Sequence, residues 1–299
     1  MSRQQRTDLD KKLRQPHPAS SPSVEEMRAG FRALMEKMPV PEGIRTTPTE
    51  LGSRRVLRVD PTLRAARPGT ILYFHGGGFV VGSPETALGL TGYLVVKTGV
   101  PALSLDYRLA PESPFPAAIE DGVAAYRALL ARGTSPASVV FAGESAGGGL
   151  TVTTCLAARE ARLPMPAAIV AFSPSFDASR SGESMKTKAG VDPIFTPENL
   201  SHTGAMYMAS ASPEHPWLSP AIHADLRGLP PMLLQAGTNE LLLDDATRLA
   251  TRARDAGVDV ILDITADAPH VFQTYVGALD EADQALERAA LFISQNLRG

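Results

Sequence analysis

Short apolar runs alternate with longer amphipathic stretches from residue 55 to the end of the chain. RVLRV (55–59), TILYF (70–74), ALSLD (102–106), VVFAG (139–143), AAIVAF (167–172), MLLQAG (232–237) and VILDI (260–264) read as strands. Several are apolar at every position, as strands covered on both faces must be. Between them lie helix candidates at 85–98, 116–132, 145–162, 244–256 and 280–297. Strand and helix in alternation predict an α/β fold with a mostly parallel central sheet and helices on both faces.

Two segments break the rhythm. Residues 1 to about 22 are charged and end in PHPASSP, so this arm is expected to be loose until something docks it. Ser23 and Glu26 then make a capping box, and Met27, Phe31, Leu34, Met35 and Met38 fall on one helical face up to Pro39. Such a stripe most often covers a core, although it would also suit an acyl pocket. Residues 176–220 are long for a strand-to-strand connection and hold a helix candidate after Thr196-Pro197-Glu198. The chain therefore divides into an N-terminal cap segment (1–45), a first catalytic part (46–175), a cap or lid excursion (176–220) and a second catalytic part (221–299).

Composition narrows the classes. In 299 residues, 43% are hydrophobic and 20% charged, which suits a globular chain with a sizeable core. A formal net charge of −3 argues against a nucleic-acid partner. One cysteine, Cys155, excludes an intrachain disulfide, and its place after a predicted turn reads as a packed small hydrophobe. The polar N-terminus matches neither a secretory signal nor a membrane span, so a cytoplasmic location is expected. The histidines lack metal-ligand spacing, so no metal and no cofactor are expected.

Gly143-Glu144-Ser145-Ala146-Gly147 matches G-x-S-x-G between a strand and a helix. A sharp strand-to-helix turn strains the serine backbone, and bulky flanking residues would clash. Ser145 is the expected nucleophile. HGGGF (75–79) follows a strand, and its glycines free backbone N–H groups to face a cavity. Gly76 and Gly77 are the expected oxyanion donors, with the N–H of Ala146 as a third, and His75 props the loop. His270 follows the last strand and reaches the same sheet end as Ser145, which marks it as the base. TNELLLDDA (238–246) offers the acid. Glu240 sits in the loop and is preferred; Asp244 is next, since Asp244 and Asp245 fall where a helix starts.

HGGGF (75–79), DYRLAPESPFPAA (106–118), GESAGG (143–148), GTNELLLDD (237–245) and PHVF (269–272) together resemble the bacterial hormone-sensitive-lipase-like esterases of the alpha/beta-hydrolase fold. VEEMRAGF and ADLRGLPPMLLQAG are most similar to proteins labelled monoterpene epsilon-lactone hydrolases. The resemblance implies Ser145 as nucleophile, His270 as base and Glu240 at a position where aspartate is commoner. Glutamate's longer arm then needs a shifted backbone. The resemblance also implies a two-part cap, a scaffold role for Tyr107, Arg108 and Pro111, and a homodimer through an edge strand or terminal helix. The expected activity is hydrolysis of short-chain acyl esters or lactones, because no long apolar lid helix is evident. Lyases and ligand receptors on the same fold are the alternatives; the receptors lack the histidine that is present here as His270.

Overall fold

The computed structural model describes residues 3–14 and 23–298. In chain order the elements are α1 (Arg3–Leu13), α2 (Val24–Met35), β1 (Ile44–Leu51), β2 (Arg54–Pro61), β3 (Thr70–Phe74), α3 (Leu88–Thr98), β4 (Ala102–Leu105), α4 (Ala117–Ala131), β5 (Val139–Glu144), α5 (Ala146–Glu160) and β6 (Ala168–Phe172). The excursion adds α6 (Ser184–Thr187) and α7 (Pro197–Met208), and α8 (Pro220–His223) follows. The chain closes with β7 (Met232–Asn239), α9 (Leu243–Asp255), β8 (Val260–Pro269) and α10 (Asp280–Asn296).

The strands form one eight-stranded sheet in the order β1-β2-β4-β3-β5-β6-β7-β8. Only β2 runs against its neighbours; all pairings from β4 to β8 are parallel. Alternate side chains face opposite layers. Leu72, Phe74, Phe141, Ile169 and Leu234 pack with α4, α5 and α9, while Ile71, Tyr73, Val140, Val170 and Leu233 pack with α3 and α10. Both faces are thus covered, which is why the central strands are apolar throughout.

β1 and α1 escaped the periodicity, as did the one-turn helices α6 and α8. β1, IRTTPTEL, is exposed at six consecutive positions and holds the outer edge through a tight Gly52-Ser53 hairpin. An edge strand needs no apolar face, and Pro48 is tolerated there because the missing N–H would point outward. The expectation of a loose arm is corrected for residues 3–13, which form α1. That helix buries only Leu9 and is otherwise held by polar contacts, including Arg6 to Ala266 O (3.0 Å) and Gln5 to Asp280 (3.0 Å). The PHPASSP stretch lies outside the described residues.

α2 starts as its capping box dictates, with Ser23 Oγ accepting from Glu26 N–H (3.2 Å) and Glu26 accepting from Ser23 N–H (2.8 Å). Met27 and Phe31 pack on the core, but Leu34 is 51% exposed, so only part of the stripe is covered. α7 uses a Thr196–Asn199 capping box with Pro197 in its first turn. Among the described residues no helix is long and apolar enough to cross a membrane. No cluster of three or more metal-ligating side chains occurs among them either.

Candidate active site

The parallel strands β3, β5, β7 and β8 bring HGGGF, Ser145, Glu240 and His270 to one end of the sheet, the end where open α/β sheets place their sites. Ser145 follows the last residue of β5 and stands before α5 with φ 55° and ψ −121°. That left-handed conformation is costly for a residue with a side chain, and the surroundings enforce it. A Cβ on Gly147 would lie 2.0 Å from Phe74 O, and one on Gly143 would lie 2.5 Å from Gly147 O. Only glycine lets β3, the turn and α5 approach so closely. Val271, just after His270, also has positive φ (49°).

His270 Nε2 lies 3.0 Å from Ser145 Oγ, and His270 Nδ1 lies 2.7 Å from Glu240 Oε2. A carboxylate can only accept, so Nδ1 carries the proton and Nε2 is free to accept from the serine hydroxyl. Glu240 is fully buried and His270 nearly so. The longer glutamate arm is taken up by folding back over its own turn. Glu240 Oε1 accepts from Gly237 N–H (2.6 Å) and from Ser173 Oγ–H (3.0 Å). The β7–β8 register shifts between Gly237 and Asn239, which sets the acid loop beside Pro269. Ser173 also accepts from Val271 N–H (2.9 Å), so one hydroxyl holds both the acid and the histidine loop. Sequence reasoning passed over Ser173; its place at the end of β6 was the available signal.

Asp244, the second acid candidate, faces elsewhere: its Oδ2 accepts from Ser184 N–H (2.9 Å). Asp245 is buried under Phe176 and Asp177, whose N–H groups it accepts (2.6 and 2.9 Å). Burial pushes its carboxyl up to about 7.

The oxyanion loop requires one correction. Gly76 N–H is donated to Glu144 Oε1 at 2.7 Å, so it has no hydrogen left for a substrate oxygen. Glu144 is buried and also accepts from Tyr73 O–H (2.6 Å); burial pushes its carboxyl up to about 7. Among the described residues, nothing accepts the N–H of Gly77, Gly78 or Ala146. Gly77 has φ +117°, and a Cβ there would lie 2.2 Å from Val81 O. His75 is a prop, as expected. Its ring stacks on Tyr107 (4.1 Å between centroids), Nδ1–H reaches Gly76 O (2.8 Å), and Tyr107 O–H donates to His75 O (2.7 Å). Burial pushes the His75 imidazole down to about 4, so it is neutral. Arg108 is a scaffold too, paired with buried Asp121 (2.9 Å).

The excursion lies over this end of the sheet. Thr203 of α7 is 3.5 Å from where a Gly78 Cβ would stand, and Tyr207 stacks on Phe79 (3.7 Å). Phe195 meets the His270 ring edge-on (4.8 Å).

The family profile for the alpha/beta hydrolase fold matches residues 71–274. An acetyl-hydrolase of Streptomyces hygroscopicus is 43% identical over 224 residues, 75% of each chain. The crystal structure of EstE7, an HSL homologue from a metagenome library, is 42% identical with a TM-score of 0.91, covering 98% of this chain and 99% of that one. The chain belongs to the hormone-sensitive-lipase-like branch of the alpha/beta-hydrolase family. The crystal structure of EstE5 is also similar, 36% identical with a TM-score of 0.93 and 99% of both chains covered; its crystal was soaked with p-nitrophenyl butyrate. The parallel sheet and the elbow on its central strand β5 are the fold expected of this family.

Proposed function

We propose that this carboxylic ester hydrolase acts on short-chain acyl esters through Ser145, His270 and Glu240. The carrying observation is the unbroken chain from Ser145 Oγ through His270 to Glu240, with contacts of 3.0 and 2.7 Å. His270 Nε2 takes the Ser145 proton as Oγ attacks the ester carbonyl. Glu240, buried and already aligned by Gly237 and Ser173, stabilises the imidazolium that forms. Gly77, Gly78 and Ala146 N–H groups bind the oxyanion, Gly78 standing in for Gly76. His270 then protonates the leaving alcohol. It next activates water, which releases the acid and restores Ser145.

The described residues of the 1–45 segment and residues 176–220 serve as a cap over the site. Thr203, Tyr207 and Phe195 crowd the oxyanion loop and the base, which favours small acyl groups. The acetyl-hydrolase relative and the butyrate ester with which the EstE5 crystal was soaked agree with that size. Lactones are cyclic esters open to the same attack. A homodimer would use the free edge of β8, where Ile261 is 53% exposed. Rapid mixing with p-nitrophenyl acetate and mass spectrometry of the quenched protein tests the acyl-enzyme. An acetyl group on the Ser145 peptide is expected. Full turnover with no acetylated Ser145 peptide would rule the mechanism out.

A further inference from the structure

Asp192 lies in the excursion between α6 and α7 and is 5% exposed. Its oxygens serve different parts of the molecule. Oδ1 accepts from the N–H groups of Ile194 (2.8 Å) and Phe195 (2.9 Å). Oδ2 accepts from Leu241 N–H (2.8 Å), next in the chain to Glu240. The Oδ1 contacts are those of a local turn, which Asp forms readily. The Oδ2 contact crosses 49 residues and is not required by that turn.

Leu241 is held from its other side as well. Ser184 Oγ–H donates to Leu241 O (2.6 Å), and Asp244 in turn accepts from Ser184 N–H (2.9 Å). Leu241 and Leu242 are buried against Met185, Leu200 and Phe195 of the excursion. The loop that carries Glu240 is therefore fastened to the excursion as well as to β7. The same carboxylate sets the Phe195 backbone, and the Phe195 ring lies against His270 (4.8 Å). Just after α1, Arg14 donates to Gly190 O (3.0 Å) and to Val191 O, the two residues before Asp192.

We infer that Asp192 is a positioning residue for ester hydrolysis, locking the Glu240 loop and the Phe195 ring to one excursion segment so that cap seating and His270 alignment are set together. The inference rests on the Ser145–His270–Glu240 reading. Lifting the segment away removes the acceptor of Leu241 N–H and the ring beside His270 in one movement. A displacement of about 1 Å at a reacting group costs on the order of 100-fold in rate.

Asp192→Asn separates the two arms. Asparagine forms the local turn as well as aspartate, but with its oxygen in that turn its Nδ2 can only donate and cannot accept from Leu241 N–H. On p-nitrophenyl butyrate its kcat is expected to fall about 10- to 100-fold with KM held within about threefold. The low-field proton resonance of His270 Nδ1 should shift or broaden. A kcat within about twofold of the parent, or an unchanged resonance, overturns the inference. Should Asp192→Asn fail to fold, Ser184→Ala loosens Leu241 from its other side, with the same expectation and the same overturning results. Ser145→Ala run alongside keeps the two readings apart. Retained turnover in Ser145→Ala removes the triad reading itself. An inactive Ser145→Ala beside a fully active Asp192→Asn removes only the role of Asp192.

Discussion

Gly76 donates its N–H to the Glu144 carboxylate at 2.7 Å, so the first glycine of HGGG is tied to the residue before Ser145. The two motifs of the candidate site are thereby joined: the residue before Ser145 holds the glycine loop. Gly77→Ala should therefore be far more damaging than Gly76→Ala. An added methyl on Gly77 runs into Val81 O at 2.2 Å, whereas on Gly76 it meets Glu144 no closer than 3.2 Å. Alanine keeps the N–H, but the clash displaces it, and a displaced donor costs up to the roughly 100- to 1000-fold in kcat of a lost one. Steady-state kinetics of the two folded variants make the comparison. Equal losses would place the Gly76 N–H back in the oxyanion hole.

The acid is tested by a pair of substitutions. Glu240→Gln keeps the shape but lets an amide face His270 Nδ1, which favours the wrong tautomer. Its kcat is expected to drop about 10³- to 10⁴-fold. Asp244→Asn keeps one oxygen that can accept from Ser184 N–H (2.9 Å) and should leave kcat within about tenfold. If the two variants lost activity in the reverse order, the assignment would have to move to Asp244.

Glu144 gives the folded state a pH signature. Burial raises its carboxyl from about 4.5 to about 7, so the folded protein holds this proton more tightly than the unfolded chain does. The stability it contributes is full below pH 4.5 and is lost as pH rises towards 7. Glu144→Gln still accepts from Gly76 and offers a donor to Tyr73, yet cannot ionise. Relative to the parent, this variant should gain up to roughly 3 kcal/mol between pH 4.5 and pH 8. Urea unfolding of both proteins across that range measures the gain. Parallel stability curves would show that Glu144 titrates normally.

The sheet was legible because seven of its strands carry apolar runs, with TILYF predicted at its observed bounds. β1 was not, because an edge strand exposed on both sides needs no pattern, and α1 was not, because only Leu9 is fully buried. Ser145 and His270 could be named as candidates because fold order limits where each lies, and the structure brings both together with Glu240. The oxyanion donors were harder. Which glycine N–H stays unpaired depends on where the Glu144 side chain turns, and that is a tertiary contact. Ser173 and Asp192 act across 67 and 49 residues, distances over which a local motif carries no information.

The most direct test is hydrolysis of p-nitrophenyl esters from acetate to palmitate by the parent protein and by Ser145→Ala. The triad account predicts strong turnover of the short esters, falling with chain length, and loss of at least about 10⁴-fold in a folded Ser145→Ala. Turnover by Ser145→Ala comparable to the parent, or a preference for palmitate, would contradict it.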